Sequence, residues 1–196
     1  MSNRVASINL VVLNGEKYIR HCLNGILAQT YPHELVEFNI LDNGSFDRTK
    51  EIIRGLEFRI SDLGFARFNF VESKLNLGMW PGQEELLKHS NGKYILARAV
   101  DVILDQDFIK NAVEVMDRDD KIGALEAKIY KYDLADDQPN FTKIIDTLGF
   151  KIFHSRRIVN IGHGEEDTGQ FNEQKEVFGV EGAAPFFRRE AMEDIR

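Results

Sequence analysis

Tyr94-Ile95-Leu96-Ala97-Arg98-Ala99-Val100-Asp101 is an apolar run of strand length that closes on a single carboxylate. In an open α/β sheet, ligands bind beyond the carboxyl ends of the strands, so an acid delivered there stands where a ligand would sit. Such an acid can hold a divalent cation against a diphosphate. The run is also incomplete. Two positions before Asp101, where a second acid or amide would supply another ligand, stands Ala99.

Working outward from this run, strands and helices alternate. Residues 5–13 form an apolar stretch broken by Asn14-Gly15. Residues 16–29 carry apolar side chains with the period of a helix that buries one face, and Thr30-Tyr31-Pro32 stops it. A second strand over 35–41 ends at Asp42-Asn43-Gly44-Ser45, and Asp47 is placed to cap a helix reaching Phe58. A short strand over 68–72, a loop over 76–82, and a helix to Ser90 with Pro81 in its first turn lead to the Tyr94 run. Beyond it, Asp107 opens an amphipathic helix with Phe108, Ile109, Ala112, Val113 and Met116 on one side. This alternation predicts an α/β fold with a mostly parallel central sheet flanked by helices. The second half changes character. A strand over 122–130 precedes shorter β segments near Ile144, Phe150 and Ile158, a glycine-rich acidic loop over 162–169, and a helix beginning at Arg189. No repeat, linker or second domain boundary interrupts the 196 residues, so we expect a single domain over 1–196.

Composition narrows the function classes. Hydrophobic residues make up 43% and charged residues 29%, a globular balance. The net charge of −7 disfavours nucleic acid as a partner, because a phosphate backbone needs a basic surface. One cysteine, Cys22, excludes an internal disulfide and a multi-thiolate metal site, and its helical spacing with Tyr18, Ile19, Ile26 and Leu27 assigns it to the core. No apolar run reaches the ~20 residues of a membrane span and no signal core opens the chain, so the expected location is cytoplasmic. The five histidines do not form a metal-ligand cluster. A dinucleotide-binding Gly-x-Gly-x-x-Gly, a Gly-x-x-x-x-Gly-Lys phosphate loop and a Gly-x-Ser-x-Gly elbow are all absent.

Each remaining motif has two readings. Asp42-Asn43-Gly44-Ser45 can accept hydrogen bonds from a ribose or base, or simply turn the chain. Asn14-Gly15 can present backbone N–H groups to a ligand or cap a helix. Asn76-Leu77-Gly78 is equally open in isolation. Asp105-Gln106-Asp107 is a literal Asp-x-Asp, but it sits at a helix start, where Asp107 has a capping role. Asp101 has the strongest individual case, since an acid ending a buried strand needs a cation, ligand or water.

Taken in order, Val11-Val12-Leu13-Asn14-Gly15, Gln29-Thr30-Tyr31-Pro32, Leu41-Asp42-Asn43-Gly44-Ser45, Asp47-Arg48-Thr49, Asn76-Leu77-Gly78 and Asp101-Val102 resemble the family 2 glycosyltransferases of the GT-A fold. Ile145-Asp146-Thr147-Leu148-Gly149, Gly162-His163-Gly164 and the 177–184 segment with Arg188-Arg189 resemble their rhamnosyltransferase-like branch. The resemblance implies a nucleotide-sugar-binding half over 1–105 and an acceptor-side half over 106–196. It implies that Asn14, Asp42, Asn76, Gly78 and Asp101 hold the nucleotide-diphosphate sugar. Asp101 would be the ligand of a divalent metal, Mg or Mn. The implied reaction is inverting transfer from a dTDP- or UDP-sugar to a glycan or lipid-linked acceptor in polysaccharide synthesis. The implied workplace is the cytoplasm, at the inner face of the membrane in peripheral contact with it.

Three departures qualify this. Ala99-Val100 replaces the family's usual Asn-Pro or Asp-x, leaving one carboxylate, which together with diphosphate oxygens and waters still suffices for Mg²⁺. Arg98 is expected to point away from Ala99 by strand alternation. Gln83 stands where the family often has Asn or Arg. The family's Glu-Asp general-base motif has no counterpart before Arg196. Glu193-Asp194 comes too early and on a charged helix face. The chain is therefore expected to lack its catalytic base and to be incomplete at its carboxyl end. The alternative expectation is a catalytically silent nucleotide-binding or interaction module on the same scaffold.

Overall fold

The computed structural model describes residues 6–194, so residues 1–5, Val5 of the expected first strand among them, and residues 195–196 lie outside it. Four strands build the parallel part of a six-stranded sheet: β1 (Ala6–Val12), β2 (Val36–Asp42), β3 (Arg67–Glu72) and β4 (Tyr94–Arg98). Their order is β3-β2-β1-β4, all parallel, with a helix in each crossover. Those helices are α1 (Ile19–Leu27), α2 (Thr49–Asp62) and α3 (Met79–Leu87), and α4 (Phe108–Arg118) follows β4. The sheet is buried on both faces. Ile8, Leu10 and Val12 of β1 point into the larger core with Cys22 and Ile26 of α1, Ile53 of α2 and Met116 of α4. Val11 and Leu41 point the other way, against Leu86 of α3.

The smaller face carries polar groups that the strand pattern alone leaves unexplained. Asn9, Asn39 and Asn69 occupy one register row across β1, β2 and β3. Asn69 donates to Asn39 Oδ1 at 2.7 Å and Asn39 donates to Asn9 Oδ1 at 3.0 Å. The Ser90 hydroxyl also donates to Asn9 Oδ1, at 2.9 Å. Gln83, 4% exposed, donates to the Asn9 carbonyl at 3.3 Å, so it belongs to this buried network beneath the sheet.

Two further strands, β5 (Ala124–Leu125) and β10 (Phe186–Arg188), complete the sheet antiparallel, with β10 between β4 and β5. The expected strand over 122–130 is therefore two elements, β5 and β6 (Ile129–Ala135), which belong to different sheets. β6 pairs with β7 (Gln138–Thr147) as a hairpin closed by Asp136-Asp137 at φ +49° and +58°. Positive φ at both central residues suits a two-residue turn, and aspartate tolerates it. β8 (Phe150–Ile152) and β9 (Ile158–Asn160) form a second small hairpin, and α5 (Arg189–Asp194) follows β10.

Several helix ends differ from expectation. α1 begins at Ile19 because the Gly15 carbonyl takes both Tyr18 N–H and Ile19 N–H in a preceding turn. α2 continues to Asp62. Asp107 precedes α4, but its carboxylate accepts from Thr30 Oγ1 at 2.5 Å. The α4 N-terminus is capped from across the fold, where Ile109 N–H donates to Gln29 Oε1 at 3.0 Å.

Candidate functional site

The carboxyl ends of β1, β2 and β4 open onto one edge of the sheet. Asp42 ends β2 in register with Val12, the end of β1. It is fully buried, and one carboxylate oxygen accepts from Ser45 N–H at 3.1 Å. The other oxygen, Oδ1, is buried with no hydrogen-bond partner among the described residues. A buried carboxylate oxygen left bare is costly, and it is an acceptor ready for the N–H or O–H of a ligand.

Two loops flank this acid. Asn14 lies in the left-handed region at φ +49°, its N–H donating to Ser45 Oγ at 2.9 Å and its Oδ1 accepting from Phe46 N–H at 3.1 Å. Gly15 N–H donates to Thr49 Oγ1 at 2.8 Å. A side chain at position 15 would collide with Val12, since its Cβ would stand 2.5 Å from a Val12 methyl. The loop after β1 is thus stitched to the start of α2. On the other side, Asn43 holds the 76–78 loop. Its amide donates to Asn76 Oδ1 at 3.0 Å and to the Gly78 carbonyl at 3.2 Å, and its Oδ1 accepts from Leu77 N–H at 2.9 Å. Gly78 sits at φ +91°, and its N–H donates to Asn76 Oδ1 at 2.9 Å. Asn14, Asp42, Asn76 and Gly78 are thereby brought to one edge. Asn43, which the sequence reading left inside a turn motif, is the residue that joins two of the loops.

Asp101 departs from expectation in one respect. β4 stops at Arg98, and Asp101 stands three residues further on in a turn, exposed to solvent. Its carboxylate makes no hydrogen bond or ion pair among the described residues. Its backbone is fixed instead, because Tyr132 Oη donates to the Asp101 carbonyl at 3.0 Å. Burial, then the nearby Asp101 charge, pushes the Tyr132 phenol up to about 12, so the hydroxyl remains a donor. Arg98 braces the turn from beneath. It is fully buried on the core face, away from Ala99's side chain, and its guanidinium donates to the Val102 carbonyl and, at 3.5 Å, to the Ala99 carbonyl.

A third brace comes from the segment before β10. Ala99 N–H donates to the Ala183 carbonyl at 2.9 Å, and Ala183 N–H donates to Glu181 Oε2 at 2.7 Å. Glu181 N–H donates in turn to Glu126 Oε2. Burial pushes Glu126 up to about 7 against the opposing effect of that backbone bond, with the Glu181 charge adding to the rise. Nothing in the sequence marked Glu126. Its significance rests on a contact 55 residues away. Glu193 of α5 lies at the opposite end of the sheet: it is paired with Arg189 at 3.4 Å, and Arg189 donates to the Gly92 and Ser90 carbonyls ahead of β4.

For a divalent cation the fit is that of a single-carboxylate site. Among the described residues no three His, Cys, Asp or Glu side chains form a cage. An exposed, unpaired Asp101 carboxylate suits a hard cation that draws its other ligands from a diphosphate and water.

A mainly parallel sheet in this order, with an acid at its carboxyl edge, defines a class of open α/β domain that takes its ligand beyond the strand ends. The chain belongs to glycosyl transferase family 2, whose family model matches residues 7–196. It is 31% identical over 116 residues to a dolichyl N-acetyl-alpha-D-glucosaminyl phosphate 3-beta-D-2,3-diacetamido-2,3-dideoxy-beta-D-glucuronosyltransferase of Methanococcus voltae, covering 57% of this chain and 34% of that protein. It is 46% identical over 48 residues to the glycosyltransferase AglE of Haloferax volcanii, covering 24% of this chain and 16% of that protein. The chain thus matches about a third or less of the length of these relatives. Among solved structures, the mannosyltransferase PcManGT of Pyrobaculum calidifontis, in complex with GDP-Man and Mn²⁺, superposes with a TM-score of 0.65 at 20% identity, over 97% of this chain and 46% of that one. S. aureus TarS 1–349 in complex with UDP gives 0.55 at 23% identity, over 64% and 35%. The mainly parallel α/β architecture is that of the GT-A glycosyltransferases. No helix among the described residues is long and apolar enough to cross a membrane.

Proposed function

We propose that this chain forms the donor-binding part of an inverting glycosyltransferase that takes its sugar from a nucleotide-diphosphate sugar, a dTDP- or UDP-sugar, for glycan synthesis. One observation carries the reading: the bare, buried Oδ1 of Asp42 at the carboxyl edge of the sheet. It is an acceptor with no internal use, flanked by two loops fixed by Asn43 and Ser45. A nucleoside supplies the N–H and O–H donors that such an oxygen needs. Structural neighbours bound to UDP and to GDP-Man support the choice of ligand class. The motifs at 145–149 and 177–184 support placement in the rhamnosyltransferase-like branch.

In this reading Asn14 and Asp42 hold the nucleoside, and Asn76 and Gly78 shape the wall beside it. Asp101 faces the diphosphate. A divalent cation held there would neutralise charge on the departing diphosphate. Arg98, Tyr132 and the Ala183 carbonyl keep the Asp101 turn in one geometry, which preorganises the acid. Residues 106–196 supply the acceptor side. The acceptor oxygen bonds to the anomeric carbon as the carbon–oxygen bond to the diphosphate breaks. Its proton passes to a general base that we assign to no residue of this chain.

Isothermal titration with UDP, dTDP, GDP and the matching monophosphates tests the donor reading. A pyrimidine diphosphate is expected to bind more tightly than its monophosphate. Absence of binding by every nucleotide would refute the proposal.

A further inference from the structure

A cavity of about 810 Å³ opens beside Asp101. Its walls are the 102–105 loop, one side of α4, the end of β5 and the β6–β7 hairpin. We propose that this cavity is the acceptor site and that it takes a pyranose ring rather than a lipid phosphate. The inference rests on the donor reading above and adds the chemistry of the second substrate.

Position comes first. Asp101 is itself part of the lining, so a group in the cavity stands next to the acid that faces the diphosphate. The volume lies within the ~300–1,000 Å³ of small-molecule sites. The Tyr132 hydroxyl, bonded to the Asp101 carbonyl at 3.0 Å, makes one wall of the cavity continuous with the donor-side turn.

The walls decide the class of ligand. Phe108, Tyr132 and Phe141 present aromatic rings, with Tyr132 and Phe141 centred 6.0 Å apart and tilted by 41°. Phe141 is 64% exposed. An aromatic ring left this open at a cavity mouth offers a platform for an amphipathic partner. A pyranose has such a face, a patch of C–H bonds ringed by hydroxyls. The hydroxyls need polar partners, and the lining supplies Asn111, whose amide makes no hydrogen bond among the described residues, and Asp105, whose carboxylate accepts only from Asp107 N–H, at 2.9 Å, among the described residues.

A phosphate headgroup is disfavoured by the charges. Among the described residues the only cationic side chain in the lining is Lys128, held by Asp167 at 2.8 Å and by Asn172 at 2.7 Å. The remaining charges are the carboxylates of Asp101 and Asp105, which repel a phosphate.

Saturation-transfer NMR on the full chain with methyl glucoside, methyl N-acetylglucosaminide and methyl rhamnoside, with UDP added in a parallel series, provides the test. At least one glycoside is expected to bind, Phe141→Ala to weaken it about tenfold, and Asn111→Ala to weaken it several-fold. Phe58→Ala, which alters an exposed ring on α2, is expected to leave it unchanged. Farnesyl phosphate is expected not to compete. Absence of glycoside binding while UDP binds, an unchanged affinity in Phe141→Ala, or displacement of the sugar by farnesyl phosphate would each overturn the assignment. Glycoside binding lost in Phe141→Ala, in a protein that binds no nucleotide, would support the sugar site and strike the donor reading instead.

Discussion

Asp42 and Asn43 are adjacent in sequence and do different work. Asp42 is kept buried with one oxygen unsatisfied, a cost that a ligand would relieve. Asn43 spends its whole side chain on the 76–78 loop. Asn43→Ala is therefore expected to free that loop. Amide exchange over 75–78 should quicken, and nucleotide affinity should fall roughly tenfold, while the global unfolding midpoint moves little. Unchanged exchange would remove Asn43 from this role. Tyr132→Phe deletes one hydrogen bond to the Asp101 turn and keeps the ring. It is expected to cost about 0.5–1.5 kcal/mol in stability by urea titration. Asp42 was legible in the sequence as the acid that ends a strand, while the same reading placed Asp101 at the end of β4, which stops three residues before it. Asn43 and Glu126 were not, because their meaning lies in partners far along the chain. Cys22 is settled as a core residue: it is fully buried, and burial pushes its thiol up, away from reactivity.

At the scale of elements, apolar periodicity revealed α1, α2 and α4, whose inward positions include Cys22, Ile26, Ile53, Ile109 and Met116. It also revealed the four parallel strands. It missed β10, a three-residue strand placed in the sheet by pairing with β4 and β5 rather than by its own pattern. It also missed the β6–β7 hairpin, whose Asp136-Asp137 turn carries no glycine. The entry to α4 shows the same limit. Gln29 reaches from the end of α1 to Ile109 N–H and also donates to the Gly25 and Asp105 carbonyls, at 2.9 and 2.7 Å. Gln29→Ala leaves these buried groups unpaired and is expected to destabilise the fold by about 1–3 kcal/mol in denaturant titration. A change below a few tenths of a kcal/mol would show that water replaces the side chain.

The whole molecule joins a regular, mostly parallel sheet to a less regular second half, and the two meet at the Asp101 turn. A buried glutamate, Glu37, and a half-buried one, Glu126, give its stability opposite pH slopes. Burial raises Glu37, but hydrogen bonds from Asn91 N–H, the Ser7 hydroxyl and the Asn91 amide outweigh it and hold the carboxyl below its ordinary 4.5. Its stabilisation is present above that value and is lost as pH falls through the depressed folded value. Glu126 is raised from 4.5 to about 7, so its contribution is fully present below 4.5 and is lost as pH rises through about 7. Thermal stability should accordingly fall between about pH 5 and about pH 8, and Glu126→Gln should flatten that slope. An identical slope in the variant would exclude Glu126 as its source.

The central claim is that Asp42 and Asp101 serve two ends of one donor site. Titration of UDP into wild type, Asp42→Ala and Asp101→Ala, each with and without Mn²⁺, tests it most directly. Asp42→Ala is expected to weaken UDP roughly ten- to hundredfold with or without the metal. Asp101→Ala is expected to abolish the gain in affinity that Mn²⁺ gives and to leave metal-free binding nearly intact. Equal UDP affinity in all three proteins under both conditions would contradict the account.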